Sequence, residues 1–183
     1  MLKILGGVSA VFVLAVVFVV AIAVGKPDQF RVTRSIVINA PPEAVYVHLD
    51  DFRSWRAWSP YEKMDPAMAR EYAGPVSGRG AAYAWESEKS GTGRMEILQA
   101  DPARQLLIKL DFIKPFEASN TATFTLAPKG QATTVTWTMD GPMPLISKIM
   151  SVFMSLDTMI GKDFEAGLRD LKAVSESPAT PTE

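Results

Sequence analysis

Apolar and polar residues alternate along several short stretches of the chain, and this two-residue period predicts β-strands. The first strand runs from Phe30 to Asn39 and places Val32, Ile36 and Ile38 on one face. Six more strands are predicted at about 67–73, 80–87, 92–100, 104–113, 116–127 and 132–140. Gly, Pro and Asp turn residues separate them, and the spacing indicates a meander of antiparallel neighbours.

Helical periodicity flanks this β-rich region. Pro41-Pro42-Glu43 opens a short helix with an apolar stripe, and a second short helix is predicted around Trp55 and Trp58, ending at Ser59-Pro60. A single long helix is predicted from Leu145 to about Val174. The order of one strand, two short helices, six strands and a long helix is that of an α+β fold.

One face of the predicted sheet is rich in Thr and charged residues, and the other is apolar. The long C-terminal helix is the amphipathic element that can cover the apolar face. A long helix across a curved sheet can leave a cavity between them, and aromatic walls are typical of apolar ligand pockets. The alternative is that the same side chains fill a solid core.

Eleven residues are predicted to line such a pocket, because they are large, inward-facing or on the methionine-rich start of the long helix. They are Trp58, Tyr83, Trp85, Met95, Phe112, Asn120, Phe124, Trp137, Met139, Met150 and Phe153. Gln99 and Arg34, like Asn120, are polar residues on the inward register, so each needs a local partner or a ligand.

Residues 4–25 are apolar apart from Ser9 and lie between Lys3 and Lys26. About 20 apolar residues span a bilayer, so residues 1–25 are predicted to form a transmembrane anchor. The alternative is a signal peptide, with Ala21-Ile22-Ala23 as a possible cleavage site. We favour a single-pass membrane protein whose domain lies on the extracytoplasmic side. Residues 26–29 are then a linker, 30–175 the folded domain and 176–183 a disordered tail.

Charge and residue content exclude several classes of function. The formal net charge of −1 leaves no basic footprint for nucleic acid. The chain has no cysteine and one histidine, His48, which excludes thiol catalysis and cysteine- or multi-histidine metal sites. Neither a GxSxG motif nor a phosphate-binding loop is present. No catalytic residue, metal or cofactor is therefore assigned, and the oligomeric state stays open.

Several runs of residues resemble the START-like helix-grip superfamily, and within it the SRPBCC or polyketide cyclase-dehydrase group, as a membrane-anchored bacterial-type member. The matching runs are Arg34–Tyr46, Trp55–Pro60, Gly78–Trp85, Gly91–Ile97, Pro115–Ala118, Thr134–Gly141 and Gly161–Leu168. The resemblance implies a helix-grip fold: a curved antiparallel sheet of about seven strands, two short helices and a long C-terminal helix over an apolar cavity.

The resemblance implies that the cavity binds a lipid or another apolar small molecule, and this is the function we expect. One alternative is a cyclase or dehydratase acting on a polyketide-like substrate, for which His48, Glu117 and Asp140 are the titratable candidates. The other alternative is a protein-interaction module of the chaperone-activator kind, which an exposed apolar patch over a filled interior would favour.

Overall fold

A computed structural model describes residues 14–177 of the chain. Residues 14–24 are helical, and the folded domain follows. Its strands are β1 (Gln29–Ile38), β2 (Ala69–Ala73), β3 (Ala82–Ser87), β4 (Gly91–Asp101), β5 (Gln105–Lys114), β6 (Ala118–Lys129) and β7 (Ala132–Pro142). Its α-helices are α1 (Pro42–Tyr46), α2 (Pro60–Met64), α3 (Leu145–Phe153) and α4 (Leu156–Glu176), and Phe52–Ala57 forms a 3₁₀-helix.

The seven strands form one antiparallel sheet in the order β1-β7-β6-β5-β4-β3-β2. Strands β2 to β7 are a meander, and β1 pairs with β7, so that Ile36 lies opposite Val135. The predicted α+β fold, with a seven-stranded antiparallel sheet and a long C-terminal helix, is confirmed.

The inner face of the sheet carries the core. Burial alternates along β6 and β7, where Phe124 and Val135 are fully buried while their chain neighbours are partly or fully exposed. Helix α4 contributes Phe164, Leu168 and Leu171 to the same cluster. Burying each of these side chains stabilises the fold by about 1.5–3 kcal/mol, so the alternating pattern fixes which face turns inward.

Helix α4 lies against β1 at one edge of the sheet. Arg34 projects from β1 and donates from Nε to Glu165 (2.8 Å) and from Nη2 to Asp157 (3.0 Å), both on α4. A Cβ at Gly161 would collide with this guanidinium, so glycine makes room for it. Arg34 is therefore engaged in holding the helix to the sheet.

The C-terminal helical region is two helices, and the prediction of one unbroken helix over 145–174 is wrong. Met154 has extended backbone angles, and Ser155 caps α4 by accepting a hydrogen bond from the Thr158 amide at 3.2 Å. A serine before a helical turn, with Asp157 near the positive helix end, is a typical start signal.

Ser59-Pro60 begins helix α2, although the sequence pattern placed a helix end there. Proline is favoured in the first turn of a helix because its missing N–H needs no partner. The extra turn directs Glu62 into the interior, where 6% of the residue is exposed.

Gln99 is exposed, although the alternation in β4 placed it inside. A register shift between Ile97 and Gln99 inserts an extra residue, so that Ala100 pairs with Leu106. A bulge of this kind turns the following side chain to the other face.

The prediction of a single-pass transmembrane protein is wrong for the part of the chain that is described. Within residues 14–177 no helix is both long and apolar enough to cross a bilayer. The helical stretch of residues 14–24 rises 1.5 Å per residue and covers about half of a hydrocarbon core of about 30 Å. The rest of the predicted anchor, residues 1–13, lies outside the described residues.

The boundaries assigned to linker, domain and tail stay predictions. Helix α4 continues through Glu176, and residues 178–183 of the predicted tail lie outside the described part of the chain.

Candidate ligand-binding site

An inner cavity of about 90 Å³ lies between the sheet and the segment that crosses it from the 3₁₀-helix to β2. Its lining is largely apolar and aromatic. The lining residues are Trp55, Ser59, Tyr61, Glu62, Met68, Tyr83, Trp85, Ser90, Met95, Leu110, Phe112, Ala122, Trp137 and Met139. Strands β3 to β7 thus supply one wall, and the crossing segment supplies the other.

Stacked rings hold Trp137 in place at the end of the cavity nearest α4. Its indole stacks on Phe164 with ring centres 3.9 Å apart and on Phe124 with ring centres 4.9 Å apart. Trp58 packs edge-on against the same indole. A Cβ at Gly167 would lie 2.9 Å from Trp137 Cζ3, so glycine allows α4 to approach this closely. The ring consequently has little freedom to rotate.

A buried polar cluster lies where the crossing segment meets β3. Glu62 accepts a hydrogen bond from the Tyr83 hydroxyl at 2.6 Å on Oε1 and another from Arg70 Nε at 2.8 Å on Oε2. Arg70 also donates to the Met68 carbonyl at 2.7 Å. Burial, followed by the bond to Glu62, raises the pKa of Tyr83. Tyr83 is therefore a neutral donor, and the charges of Glu62 and Arg70 offset each other.

Three of the four tryptophans in the chain use their indole N–H on a backbone carbonyl. Trp55 donates to Leu49 and Trp58 to His48, each at 2.9 Å, and Trp85 makes a longer bond of 3.5 Å to Ser90. Trp137 Nε1 has no acceptor among the described residues, although the side chain is buried. Its N–H is thus an unpaired donor on a residue that lines the cavity.

A wider groove of about 800 Å³ adjoins the inner cavity, and we call it the mouth groove. It lies between the β3–β4 turn, the β5–β6 turn and the start of α4. Ser90 and Phe112 line both spaces, so they mark the junction between them. The remaining residues of the groove include Phe30, Asn120, Leu156, Met159 and Ile160.

Asn120 lies at the groove with its Oδ1 buried and without a hydrogen-bond donor among the described residues. It can occupy this position because the neighbouring strand has Gly141 there, where a Cβ would collide with the amide. The buried amide is therefore a second polar group that a bound molecule can contact.

The structure brings most of the predicted pocket residues together. Tyr83, Trp85, Met95, Phe112, Trp137 and Met139 line the inner cavity, and Asn120 lines the mouth groove. Trp58 and Phe124 are fully buried behind the wall and pack on Trp137. Met150 and Phe153 are exposed on α3 and line neither space, so their contact with a ligand stays a prediction.

Sequence reasoning missed the lining residues that the crossing segment supplies. Ser59 precedes α2, Tyr61 and Glu62 lie on it and Met68 follows it. The sequence pattern placed a helix end at Ser59-Pro60 and predicted no helix after it. The available signal was Ser59-Pro60 as a helix start followed by Tyr61, a large apolar ring.

None of the three titratable residues considered for catalysis lines the inner cavity or the mouth groove. Glu117 is exposed, and Asp140 pairs with Arg31. His48 lies on the turn after α1, and partial burial lowers its pKa. Among residues 14–177, no group of three or more His, Asp or Glu side chains is arranged to hold a metal ion.

Solved structures of similar fold cover most of the chain at low identity. Protein CV1439 from Chromobacterium violaceum is 19% identical with a TM-score of 0.59, covering 84% of this chain and 100% of its own. TTHA0849 from Thermus thermophilus is 18% identical with a TM-score of 0.60, covering 82% of this chain and 100% of its own. DynU16, from the dynemicin biosynthetic locus, is 16% identical with a TM-score of 0.58, covering 83% of this chain and 48% of its own.

A search of curated proteins finds no match. The model of one family, described as polyketide cyclase / dehydrase and lipid transport, matches residues 29–176. This range contains the whole sheet, α4 and every residue of the inner cavity. The chain therefore belongs to the polyketide cyclase / dehydrase and lipid transport family, and its fold is the helix-grip fold.

Proposed function

We propose that this protein binds an apolar small molecule whose one end enters the inner cavity and whose remainder lies in the mouth groove. The observation that carries the proposal is the aromatic, largely apolar lining of a cavity that shares Phe112 and Ser90 with a larger groove. Membership of a family described by cyclase, dehydrase and lipid transport supports a ligand of this type.

The sizes of the two spaces define how such a molecule is held. Ligand pockets are typically about 300–1,000 Å³. The inner cavity, at about 90 Å³, accommodates only a small part of a ligand. The mouth groove, at about 800 Å³, is large enough for the rest. Met68, Met95 and Met139 line the inner cavity, and their flexible side chains allow it to widen around a ligand.

Binding is favoured over turnover by the chemistry of the cavity wall. Glu62 is the titratable carboxylate of the lining, and Tyr83 and Arg70 occupy one oxygen each. A general base needs an oxygen within reach of the proton that it abstracts. Since both oxygens of Glu62 already accept hydrogen bonds from the protein, a structural role of this carboxylate is favoured over that of a base in a cyclase or dehydratase reaction.

The proposal is tested by titrating the full-length protein with the neutral fluorescent probe N-phenyl-1-naphthylamine. Ala122→Leu fills the inner cavity from β6, and Phe112→Trp narrows the junction with the mouth groove. Both variants are expected to weaken probe binding about tenfold or more, since the apolar surface that the probe buries is lost. Thr123→Leu places the same leucine on the outer face of β6 and is the matched control.

Thermal unfolding of each variant shows whether it is folded, because overpacking also destabilises a core. Two folded cavity variants that bind the probe as tightly as the wild type would contradict the proposal. Unchanged binding in Thr123→Leu is expected if the probe enters between the sheet and the crossing segment.

A further inference from the structure

We propose that the site selects neutral molecules that carry a hydrogen-bond acceptor, such as a ketone, and that Trp137 Nε1 donates to this acceptor. This inference rests on the proposed function and adds the chemical class of the ligand. It is carried by two observations: one unpaired buried indole N–H, and the absence of a cationic side chain among the described residues that line the inner cavity.

The unpaired N–H is a feature of Trp137 alone among the four tryptophans. Buried indole N–H groups usually have a partner, and the other three donate to backbone carbonyls. A donor left without an acceptor in a buried position is costly, and an acceptor on a ligand removes that cost. Trp137 is 2% exposed, so bulk water does not satisfy its N–H.

The position of the indole is fixed before a ligand arrives. Phe164 stacks on it with the two ring planes 6° apart, and Cζ3 faces Gly167 on α4. The Nε1 atom belongs to the five-membered ring, at the other side of the indole from Cζ3. A donor held in this way loses little conformational freedom when it binds, which favours selectivity.

The charges around the inner cavity disfavour an anionic ligand. Glu62 is the charged side chain among the described residues of the lining, and it is negative. Arg70, the nearest cation to Glu62, is committed to this carboxylate and to the carbonyls of Met68 and Pro66. A ligand carboxylate in the cavity would lose its hydration, gain no cation and meet a like charge.

The mouth groove has no net positive charge. Its lining contains Lys89 and Lys114, together with Glu86 and Glu88. An anionic ligand in the groove would therefore meet as many negative as positive side chains. Asn120, also in the groove, offers a neutral amide that can contact a hydroxyl or a carbonyl.

Three naphthalenes of similar shape separate these effects: 2-acetylnaphthalene, which has a ketone acceptor, 2-isopropenylnaphthalene, which has none, and 2-naphthoate, which is anionic. Their affinities for the full-length wild type, Trp137→Phe and Trp58→Phe are measured by isothermal titration calorimetry at pH 7.5. We expect the wild type to bind the ketone about five- to tenfold more tightly than the hydrocarbon, the worth of one hydrogen bond. We expect 2-naphthoate to bind at least about tenfold more weakly than the ketone.

Trp137→Phe keeps an aromatic ring and removes the N–H. The ratio of the affinity for the ketone to that for the hydrocarbon should therefore fall to about one. Trp58→Phe is the matched control, because the Trp58 N–H is already bound to the His48 carbonyl. That variant should keep the preference. A second measurement needs no variant: the ketone should shift one of the four indole N–H signals in a wild-type ¹⁵N–¹H spectrum, and the hydrocarbon should not.

A wild type that binds ketone and hydrocarbon equally, or a preference that survives in Trp137→Phe, would overturn the inference and leave the proposed function standing. Tighter binding of 2-naphthoate than of the ketone would overturn the selection of neutral ligands. Binding of none of the three naphthalenes would contradict the proposed function together with the inference.

Discussion

The hydrogen bond between Tyr83 and Glu62 is the shortest in the polar cluster formed by Glu62, Tyr83 and Arg70. The Tyr83 hydroxyl lies 2.6 Å from Glu62 Oε1, and both residues are buried. Removing one partner of a buried hydrogen bond leaves the other unsatisfied, which costs about 1–3 kcal/mol. The hydroxyl of Tyr83 thus contributes to the stability of the cavity wall as well as to its polarity.

Tyr83→Phe is expected to lower the free energy of unfolding by about 1–3 kcal/mol, measured by urea denaturation. Tyr72→Phe is the control, because Tyr72 stacks on Tyr83 with ring centres 5.2 Å apart but is not bound to Glu62. In Tyr83→Phe/Glu62→Leu, the two losses should not add, since each variant removes one partner of the same bond. Strict additivity would show that the bond contributes nothing.

The raised pKa of Tyr83 gives the protein a specific alkaline response. Burial and the bond to Glu62 favour the neutral phenol in the folded state, whereas the unfolded side chain titrates near 10.0. The contribution of the neutral Tyr83 phenol to the free energy of unfolding is fully present below pH 10.0. It is lost as the pH rises above 10.0, because Tyr83 then releases its proton in the unfolded chain but not in the folded protein. The stability of Tyr83→Phe should therefore fall less steeply than that of the wild type between about pH 10 and 11.5. Parallel slopes would contradict this assignment.

For single residues, alternation along strands placed the apolar cavity residues and Asn120 on the inner face, but it did not identify Glu62. Tyr83, Trp85 and Trp137 follow the two-residue period, so the sequence places them inside. Glu62 does not follow such a pattern, because its direction is set by a single turn of helix after Pro60. The bulge at Gln99 is also invisible, since the inserted residue depends on pairing with β5.

The approach of α4 to the cavity depends on small residues at two of its positions. At Gly167 a Cβ would lie 2.9 Å from both Trp137 Cζ3 and Pro60 Cδ, two rigid groups. At Gly161 the colliding group is the end of the Arg34 side chain, which is flexible. The same substitution should therefore have different effects at the two positions.

Gly167→Ala is expected to destabilise the protein by about 1–3 kcal/mol, because overpacking against rigid neighbours exceeds the gain in helix propensity. That gain is about 1 kcal/mol for glycine to alanine within a helix. Gly161→Ala should cost less, since Arg34 can move aside. Urea denaturation of both variants provides the measurement. A Gly167→Ala protein more stable than Gly161→Ala would show that α4 does not depend on this close approach.

The elements themselves were largely predictable, and their ends were less so. Most strands were predictable because they bury one face and alternate with a period of two, as β6 and β7 do. The break between α3 and α4 was not, because apolar periodicity continues through Met154 while the Ser155 cap acts on the backbone. The transmembrane helix was predicted from the length of an apolar run alone. No helix within residues 14–177 is both long and apolar enough to cross a membrane.

At the scale of the whole molecule, the order of elements and the cavity have different origins. The antiparallel meander follows from short turns between successive strands, whereas the pairing of β1 with β7 joins the two ends of the domain and follows from no local pattern. The volume of the cavity depends on how the crossing segment from the 3₁₀-helix to β2 packs on the sheet. A shift of an ångström in that packing changes a space of about 90 Å³ severely, and no sequence pattern encodes it.

Ligand binding between the two layers should stabilise the whole fold, since the site exists only when the sheet and the crossing segment are packed together. A ligand that binds the folded state alone adds RT ln(1 + [L]/Kd), or about 2.7 kcal/mol at a hundredfold excess over Kd. For a protein of this size, each kcal/mol raises Tm by about 2–4 °C. N-phenyl-1-naphthylamine should thus raise the Tm of the full-length protein by about 5–11 °C.

The same concentration of probe should raise the Tm of a folded Ala122→Leu variant by no more than about 3–6 °C, because a tenfold loss of affinity leaves [L]/Kd near ten and lowers the added free energy to about 1.4 kcal/mol. Thr123→Leu should show the wild-type shift, since its side chain lies on the outer face. Differential scanning calorimetry measures all three proteins at several probe concentrations. An equal rise in all three would show that the probe binds the folded protein away from the inner cavity. A smaller rise in Ala122→Leu than in the wild type and Thr123→Leu would link occupation of the cavity to the stability of the fold.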